Sequence, residues 1–196
     1  EVNKAAYKVL EDAMKAINPM FIKPTSWVKG EPMEYSGWTG TPVTFPMQNV
    51  NWYGGRGGHI GFSPIIPQDG DAALAQFKRT YSRYQEYGLD YQGSFAFGER
   101  HLTNVNAMIF DKDSPEMMAK IDRFFRHLVA DAKEQGYGEY RTHLDYMDLV
   151  ADTYDWNGGA LRKLNETVKD ALDPNGILAP GKSGIWPRDL RQERGK

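Results

Sequence analysis

The sequence has 196 residues, of which 40% are hydrophobic and 13% aromatic, enough to build a substantial buried core. Its 24 Lys and Arg nearly balance its 26 Asp and Glu, so the net charge of -2 gives no electrostatic reason to expect nucleic acid or an anionic membrane as a partner. No apolar run approaches the ~20 residues that span a bilayer. The absence of cysteine excludes disulfides and thiolate chemistry, and we expect a reducing, cytoplasmic location.

Periodic and irregular segments alternate in the first part of the chain. Residues 1–17 repeat apolar side chains near a 3.6 spacing, which predicts an amphipathic helix. Residues 19–58 are crowded with Pro, Gly, Trp and Tyr, which predicts an irregular segment held down by its aromatic side chains. The apolar run 59–66 predicts a strand, and residues 69–87 predict a helix that stops at Gly88.

A second group of elements follows. Residues 91–97 and 104–110 have the composition of strands, and Ser114 and Pro115 open a helix that closes near Gly136. The order strand, helix, strand, strand, helix predicts an α+β fold, an antiparallel sheet with helices packed on one face. The segments 144–154 and 160–172 predict two further helices, before a turn-rich end.

The first candidate for chemistry is His59, which follows four glycines and an arginine at 54–58. This run is not a dinucleotide-binding loop, because the sixth position counted from Gly55 is Ile60 rather than glycine. A plain flexible turn is the simpler interpretation of the glycines. His59 itself is either a structural, hydrogen-bonded histidine, which the residues alone favour, or a nucleophile toward a cofactor.

Two further candidates carry positive charge. Tyr140 and Arg141 are adjacent, and a guanidinium beside a phenol hydroxyl can hold an anionic oxygen. The alternative for this pair is a surface arginine stacked on a tyrosine. Lys182 follows Pro-Gly and could contact a phosphate or a flavin, although no P-loop pattern surrounds it.

The remaining polar candidates have simpler explanations. The other histidines, His101, His127 and His143, share no metal-ligand spacing, so we predict no metal site. The aspartates of the 144–154 segment recur at helical spacing, and we expect them to form a solvated helix face rather than a metal site.

Three blocks of sequence carry a resemblance to a known family. GGHIGFSP at 57–64, GYGEYRTH at 136–143 and DPNGILAPGKSGIWP at 173–187 look like those of the vanillyl-alcohol oxidase family, and the similarity also includes YGLDYQGSF at 87–95. The resemblance extends over nearly the whole chain from about residue 48 onward. The chain is thereby identified as similar to the C-terminal portion of these 4-phenol oxidases.

The resemblance implies a domain arrangement. Residues 1–136 would form most of a substrate-binding cap domain, and residues 137–196 would be a C-terminal helical segment completing an FAD-binding domain. The N-terminal FAD-binding half would lie outside this chain and act as its partner. By the same analogy we expect a homo-oligomer.

The resemblance also assigns roles to individual residues. His59 falls where the oxidases attach FAD covalently, and Lys182 would contact the cofactor. Tyr140 and Arg141 align with the catalytic pair that binds the substrate as a phenolate. The substrate pocket would be lined by four residues, of which the first replaces an expected phenylalanine and suggests a roomier cavity: Gly61, Ser94, Val105 and Ala107.

The implied function is that of a flavoprotein oxidase. Para-substituted phenols, such as 4-alkyl, 4-allyl or 4-hydroxymethyl phenols, would transfer a hydride to flavin N5, and dioxygen would be reduced to hydrogen peroxide. One alternative is a cytochrome-coupled 4-alkylphenol dehydrogenase. The other is a noncatalytic fragment that binds a ligand.

Overall fold

The computed structural model of this chain describes residues 56–194, except for the side chains of 192–194, together with Lys8 and Asp12. The chain divides into two compact units, Glu1–Asn49 and Val50–Lys196. In the first unit Lys8 and Asp12 are both helical and form a 3.3 Å salt bridge, as the predicted helix at 1–17 requires. The other residues of the predicted helix, and residues 18–55, lie outside the described residues.

A five-stranded antiparallel sheet is the centre of the second unit. Its strands are β1 (Gly57–Phe62), β2 (Pro64–Ile66), β3 (Gly93–Phe97), β4 (Leu102–Asp111) and β5 (Gly138–Glu139). β1 and β2 lie end to end along one edge of β4 in an unbroken register, from Gly57 opposite Asp111 to Ile66 opposite Leu102. β3 pairs with the other edge of β4, and β5 pairs with β2.

The two faces of the sheet differ in what covers them. Successive side chains of a strand point to opposite faces, so even-numbered and odd-numbered residues of β4 are separated. Met108 and Phe110 are buried, as are Ile60 and Phe62 of β1, which share their face. The odd-numbered residues 105, 107 and 109 of β4 are only half-buried. We call the face that carries these odd-numbered residues the open face.

Two long helices cover the buried face. α1 (Gly70–Glu86) begins at Asp69, whose side chain accepts the Ala72 N–H at 2.8 Å, and α2 (Pro115–Glu134) begins at Ser114 in the same way. Their apolar side chains form one core with the sheet, in which Tyr84 and Phe124 make an edge-on ring contact at 4.8 Å. The predicted α+β fold, with helices packed on one face of an antiparallel sheet, is confirmed.

In the last part of the chain, short helices alternate with irregular segments. It contains a 3₁₀ turn at Leu144–Tyr146, α3 (Met147–Ala151), α4 (Trp156–Leu172), a 3₁₀ turn at Lys182–Gly184 and α5 (Arg188–Arg194). Residues 157–159, Asn-Gly-Gly, all have positive φ, so the regular part of α4 starts at residue 160, as predicted. No residue of α4 is buried. None of the helices in the described ranges is long and apolar enough to cross a membrane.

Candidate functional site

Five predicted site residues share the open face. His59 and Gly61 of β1 lie opposite Ile109 and Ala107 of β4, and Ser94 of β3 lies opposite Val105. Residues directly opposite in an antiparallel pair point to the same face. His59 and the four predicted pocket residues Gly61, Ser94, Val105 and Ala107 are therefore next to one another, on a floor of mostly small side chains.

Tyr140 stands at the edge of this face. It follows β5, and its backbone N–H donates to the carbonyl of Ser63 at 2.9 Å, which continues the pairing of β5 with β2 by one residue. The side chain of Tyr140 is 66% exposed. Most of this side chain is therefore accessible to a ligand.

Glu139 fixes the start of the Tyr140–Arg141 segment. Both of its carboxylate oxygens accept the backbone N–H of Ser63, at 2.8 and 2.9 Å, and its backbone carbonyl accepts the Tyr154 hydroxyl at 3.2 Å. Burial raises the pKa of Glu139 to about 8, while the backbone N–H groups of Ser63 and Arg141 and the charge of Arg141 limit the rise.

A cavity of about 320 Å³ brings Tyr140 and Arg141 together with Lys182. Cavities of this size are common for small-molecule sites. Its remaining lining comes from Glu139 and Thr142, from α3 and Tyr154, from α4 and from the loop around Lys182: Met147, Val150, Ala151, Tyr154, Leu161, Arg162, Asn165, Ser183, Gly184 and Ile185.

The cavity lining carries three cationic side chains and one acidic one. Arg162 forms a 2.6 Å ion pair with Asp152, but neither Arg141 nor Lys182 forms an ion pair with any carboxylate in the described part of the chain. The hydroxyl oxygen of Thr142 is buried and has no hydrogen-bond partner among the described residues. Two free cations and an unused hydroxyl are suited to a ligand with anionic or carbonyl oxygens.

The Lys182 loop has an unusual backbone that neighbouring groups hold in place. Ala179 and Ser183 have φ values of 39° and 54°, in the left-handed region that costs energy for residues other than glycine. The Ser183 N–H donates to the sulfur of Met147 at 3.3 Å, and the indole N–H of Trp186 donates to Asp148 at 2.7 Å. The loop is thereby anchored to α3.

Asp148 corrects one expectation from the sequence. The aspartates of the 144–154 segment were expected to face solvent, but Asp148 is half-buried and accepts the Trp186 N–H. Asp152 and Asp155 are exposed, as expected, and pair with Arg162 and Lys133. Among the residues that the structure describes, no group of three or more potential ligands could hold a metal ion.

His59 lies within electrostatic reach of Arg141. Partial desolvation, the positive charge of Arg141 and then His143 lower the pKa of His59 below its usual value. A lowered pKa keeps the imidazole neutral near pH 7, and the neutral ring carries the lone pair that a nucleophile or a ligand to a cofactor needs.

The site therefore combines all eight predicted residues in two neighbouring parts. Five lie on the open face, and Tyr140, Arg141 and Lys182 line the cavity. The sequence did not reveal the role of Glu139. The only signal for that role is that an acidic residue stands directly before the Tyr-Arg pair. A structural role for its carboxylate depends on contact with Ser63, 76 residues away.

An open sheet face beside a cationic cavity defines a ligand-binding α+β domain. The family described as "FAD linked oxidases, C-terminal domain" matches residues 38–183 of this chain. The chain belongs to this family of FAD-linked oxidases. The resemblance predicted from the sequence blocks is confirmed, and the family description supports FAD as the cofactor; a covalent link through His59 stays a prediction.

Individual relatives agree with this membership. The chain is 35% identical over 147 residues to the 4-cresol dehydrogenase [hydroxylating] flavoprotein subunit of Pseudomonas putida. Among solved structures, it is similar to the 4-ethylphenol oxidase of Gulosibacter chungangensis in complex with isoeugenol, with 36% identity and a TM-score of 0.72 over 78% of this chain. It is also similar to p-cresol methylhydroxylase with substrate bound, with 34% identity and a TM-score of 0.68 over 75% of this chain.

The chain spans less than a third of the length of these relatives. It covers 27% of the dehydrogenase subunit, 29% of the oxidase chain and 28% of the methylhydroxylase chain.

Proposed function

We propose that this chain is the substrate-binding and C-terminal part of an FAD-dependent enzyme that oxidises para-substituted phenols. In this proposal residues 1–136 contribute most of the cap domain, and residues 137–196 complete the FAD-binding domain. The similarity to proteins named for 4-cresol and 4-ethylphenol supports the substrate class.

The observation that carries the proposal is that Arg141 and Lys182, neither of which forms an ion pair with a carboxylate of the described residues, lie in one cavity with Tyr140. Arg141 and the Tyr140 hydroxyl would bind the phenol oxygen as a phenolate, because charge-assisted hydrogen bonds favour the ionised form. Negative charge on that oxygen moves electron density to the para carbon and eases the departure of a hydride. The pair therefore both binds the substrate and activates it.

The residues present fit a flavin. Lys182 and the Thr142 hydroxyl, which has no hydrogen-bond partner within the described ranges, offer donors for the oxygens and ring nitrogens of its polar edge. When bound, FAD would accept the hydride from the substrate at N5 and pass the electrons to dioxygen, giving hydrogen peroxide. His59, kept neutral beside Arg141, would hold the cofactor through a covalent bond.

Helix α4 supports the proposal that a further FAD-binding portion packs against this chain. Its apolar side chains repeat at helical spacing but remain exposed: Leu161, Leu164, Val168 and Leu172. Ile177 and Leu178, shortly after the end of α4, are also exposed, by 75% and 60%. We call these six residues the α4 stripe. A contiguous apolar surface of this kind is typical of an interface.

The test of the phenolate role is Arg141→Ala in the FAD-loaded protein that contains this chain. We expect kcat/KM for 4-alkylphenols to fall about 10- to 100-fold, since a hydrogen bond to a charged group is lost. Arg123→Ala is the control, because Arg123 is exposed on α2. Unaltered turnover in Arg141→Ala would contradict the role.

The covalent link is tested by intact mass. After incubation with FAD and acid denaturation, the wild-type protein should keep the mass of one FAD and its yellow colour, and His59→Ala should lose both. If all the colour of the wild-type protein stays in the supernatant, the link to His59 is wrong.

The electron acceptor separates two related functions. Similarity to an oxidase supports dioxygen, whereas similarity to a dehydrogenase subunit supports a cytochrome partner. We propose dioxygen, with one peroxide formed for each phenol oxidised in air. A low peroxide yield together with rapid reduction of added cytochrome would establish the dehydrogenase instead. We further propose that the protein is a homo-oligomer, which light scattering can test.

A further inference from the structure

A layer of polar side chains is buried beneath the open face, between β4 and α1. Gln76, Thr80, Asn104 and Asn106 are each at most 2% exposed. Buried polar groups are costly unless they are hydrogen-bonded. Each of these four side chains makes at least one hydrogen bond, and the Asn106 side-chain oxygen has no partner among the described residues. On the helix side, the Gln76 amide donates to the Thr80 hydroxyl at 2.9 Å.

On the sheet side, three donors reach backbone carbonyls of three different strands. The Tyr84 hydroxyl donates to the carbonyl of Ala107 in β4 at 3.0 Å. The Asn104 amide donates to the carbonyl of Ser94 in β3 at 3.2 Å. The Asn106 amide donates to the carbonyl of Phe62 in β1 at 3.2 Å.

The acceptors coincide with the predicted pocket. Ser94 and Ala107 are themselves pocket residues, and Phe62 is the neighbour of Gly61. The three hydrogen bonds thus hold the backbone of β1, β3 and β4 from the helix-covered side of the sheet. The predicted pocket side chains of the same strands lie on the open face.

Close packing makes this arrangement rigid. A Cβ atom on Gly93 would collide with the Tyr91 hydroxyl and with the side-chain oxygen of Asn106. Glycine at this position therefore lets the polar layer approach β3. The Asn106 and Asn104 side chains also bond to each other at 3.0 Å, which joins two of the donors into one unit.

We propose that Tyr84, Asn104 and Asn106 are positioning residues that set the spacing of β1, β3 and β4 beneath the substrate pocket and so determine which para substituents it accepts. The inference rests on the proposed function for its substrate class. None of the three touches the substrate, because their side chains lie on the helix-covered face of the sheet.

The experiment compares two Tyr→Phe variants of the FAD-loaded protein. Tyr84→Phe removes the hydroxyl that donates to Ala107 and keeps the ring contacts with Tyr91 and Phe124. Tyr87→Phe is the matched control, because its hydroxyl bonds to His127 at 2.6 Å and joins α1 to α2. For each variant, kcat and KM are measured with 4-alkylphenols of short and long para substituents.

We expect Tyr84→Phe to change the ratio of kcat/KM between long and short substituents by about threefold to tenfold, mainly through KM, as the loss of one hydrogen bond allows. Tyr87→Phe should leave that ratio unchanged. An equal effect of the two variants, or none in Tyr84→Phe, would overturn the proposal. Asn106→Leu, with Thr80→Val as its control, repeats the comparison at a second donor.

Amide hydrogen exchange separates this inference from the proposed function. Tyr84→Phe should speed exchange in β1, β3 and β4 near Phe62, Ser94 and Ala107, and Tyr87→Phe should not. If the wild-type protein oxidises no phenol, the proposed function fails, and exchange still decides whether the donors position the strands. Equal rates of amide exchange in both variants would contradict the positioning role.

Discussion

The absence of a side chain at Gly61 leaves space on the open face. It lies on the open face opposite Ala107, and its backbone φ is not in the left-handed region. A Cβ placed on it would have its nearest neighbour, the Asn106 carbonyl oxygen, at 3.8 Å, an ordinary contact distance. Gly58, three residues earlier, faces the core, and a Cβ there would come within 2.8 Å of Lys112 and 2.9 Å of Phe110.

We therefore predict that Gly61→Phe narrows the pocket without unfolding the protein. The turnover of 4-propylphenol should fall more than that of 4-methylphenol, because the added ring fills space above the small-residue floor. Steady-state kinetics with the two phenols and a denaturation curve provide the measurement. Gly58→Ala is the contrasting control, with lower stability and the same preference between the phenols. A parallel loss for both substrates in Gly61→Phe would count against this pocket assignment.

At the scale of elements, the short strand β5 controls the placing of the Tyr140–Arg141 pair. β5 has two residues, Gly138 and Glu139, and a pair this short contributes few ladder hydrogen bonds. The Glu139 side chain compensates by accepting the Ser63 N–H with both oxygens. The attachment of β5 to the sheet therefore depends on an acidic group with a raised pKa.

This dependence predicts a pH effect on stability. Because burial raises the pKa of Glu139 from 4.5 to about 8, the folded state favours the protonated acid. The resulting stabilisation is complete below pH 4.5 and is lost as the pH rises to about 8. Glu139→Gln cannot ionise, so the free energy of unfolding of the wild-type protein should fall relative to this variant by several kcal/mol over that range.

Urea denaturation of both proteins at several pH values between 4.5 and 9 tests the prediction. Every other ionisable group is the same in the two proteins, so the difference between the two curves isolates residue 139. A difference that does not change with pH would show that Glu139 is ionised in the folded state throughout.

Local signals in the sequence predicted the main elements correctly. Asp69 and Ser114 cap the helices that they precede, and Gly88 and Gly136 take the positive φ expected just after a helix end. These features depend on residues within a few positions of one another. The alternation of apolar side chains likewise predicted the strands, although the run at 59–66 is divided at Ser63, where β1 ends and β2 begins.

What the sequence did not reveal depends on distant contacts. β5 exists because it pairs with β2, and Asp148 is half-buried because Trp186 reaches it from 38 residues away. The site residues themselves were predicted through the family resemblance, since the residues alone favoured a structural His59. The grouping of His59 with Gly61, Ser94, Val105 and Ala107 on one face required the strand register.

At the scale of the whole molecule, the α4 stripe is an apolar surface that packing among the described residues does not cover. Leu164 and Leu172 are 61% and 75% exposed. We predict that changing both to Gln destabilises the complete FAD-loaded protein by about 2 kcal/mol for each leucine, because the proposed interface loses apolar burial.

This prediction is tested by measuring the denaturation midpoint of the stripe variant and the fraction of the protein that retains FAD. Leu74→Gln is the control, since Leu74 is 50% exposed on α1, outside the stripe. If the stripe variants and the control behave alike, the surface faces water in the complete protein as well.

The separation of faces along β4 also has an evolutionary consequence. Its even-numbered side chains are buried, and the odd-numbered Val105 and Ala107 belong to the proposed pocket, so mutations at these two positions would change what the proposed enzyme accepts while the interior stays intact. A domain organised in this way can acquire new substrate preferences by single substitutions, because each such step leaves the protein folded.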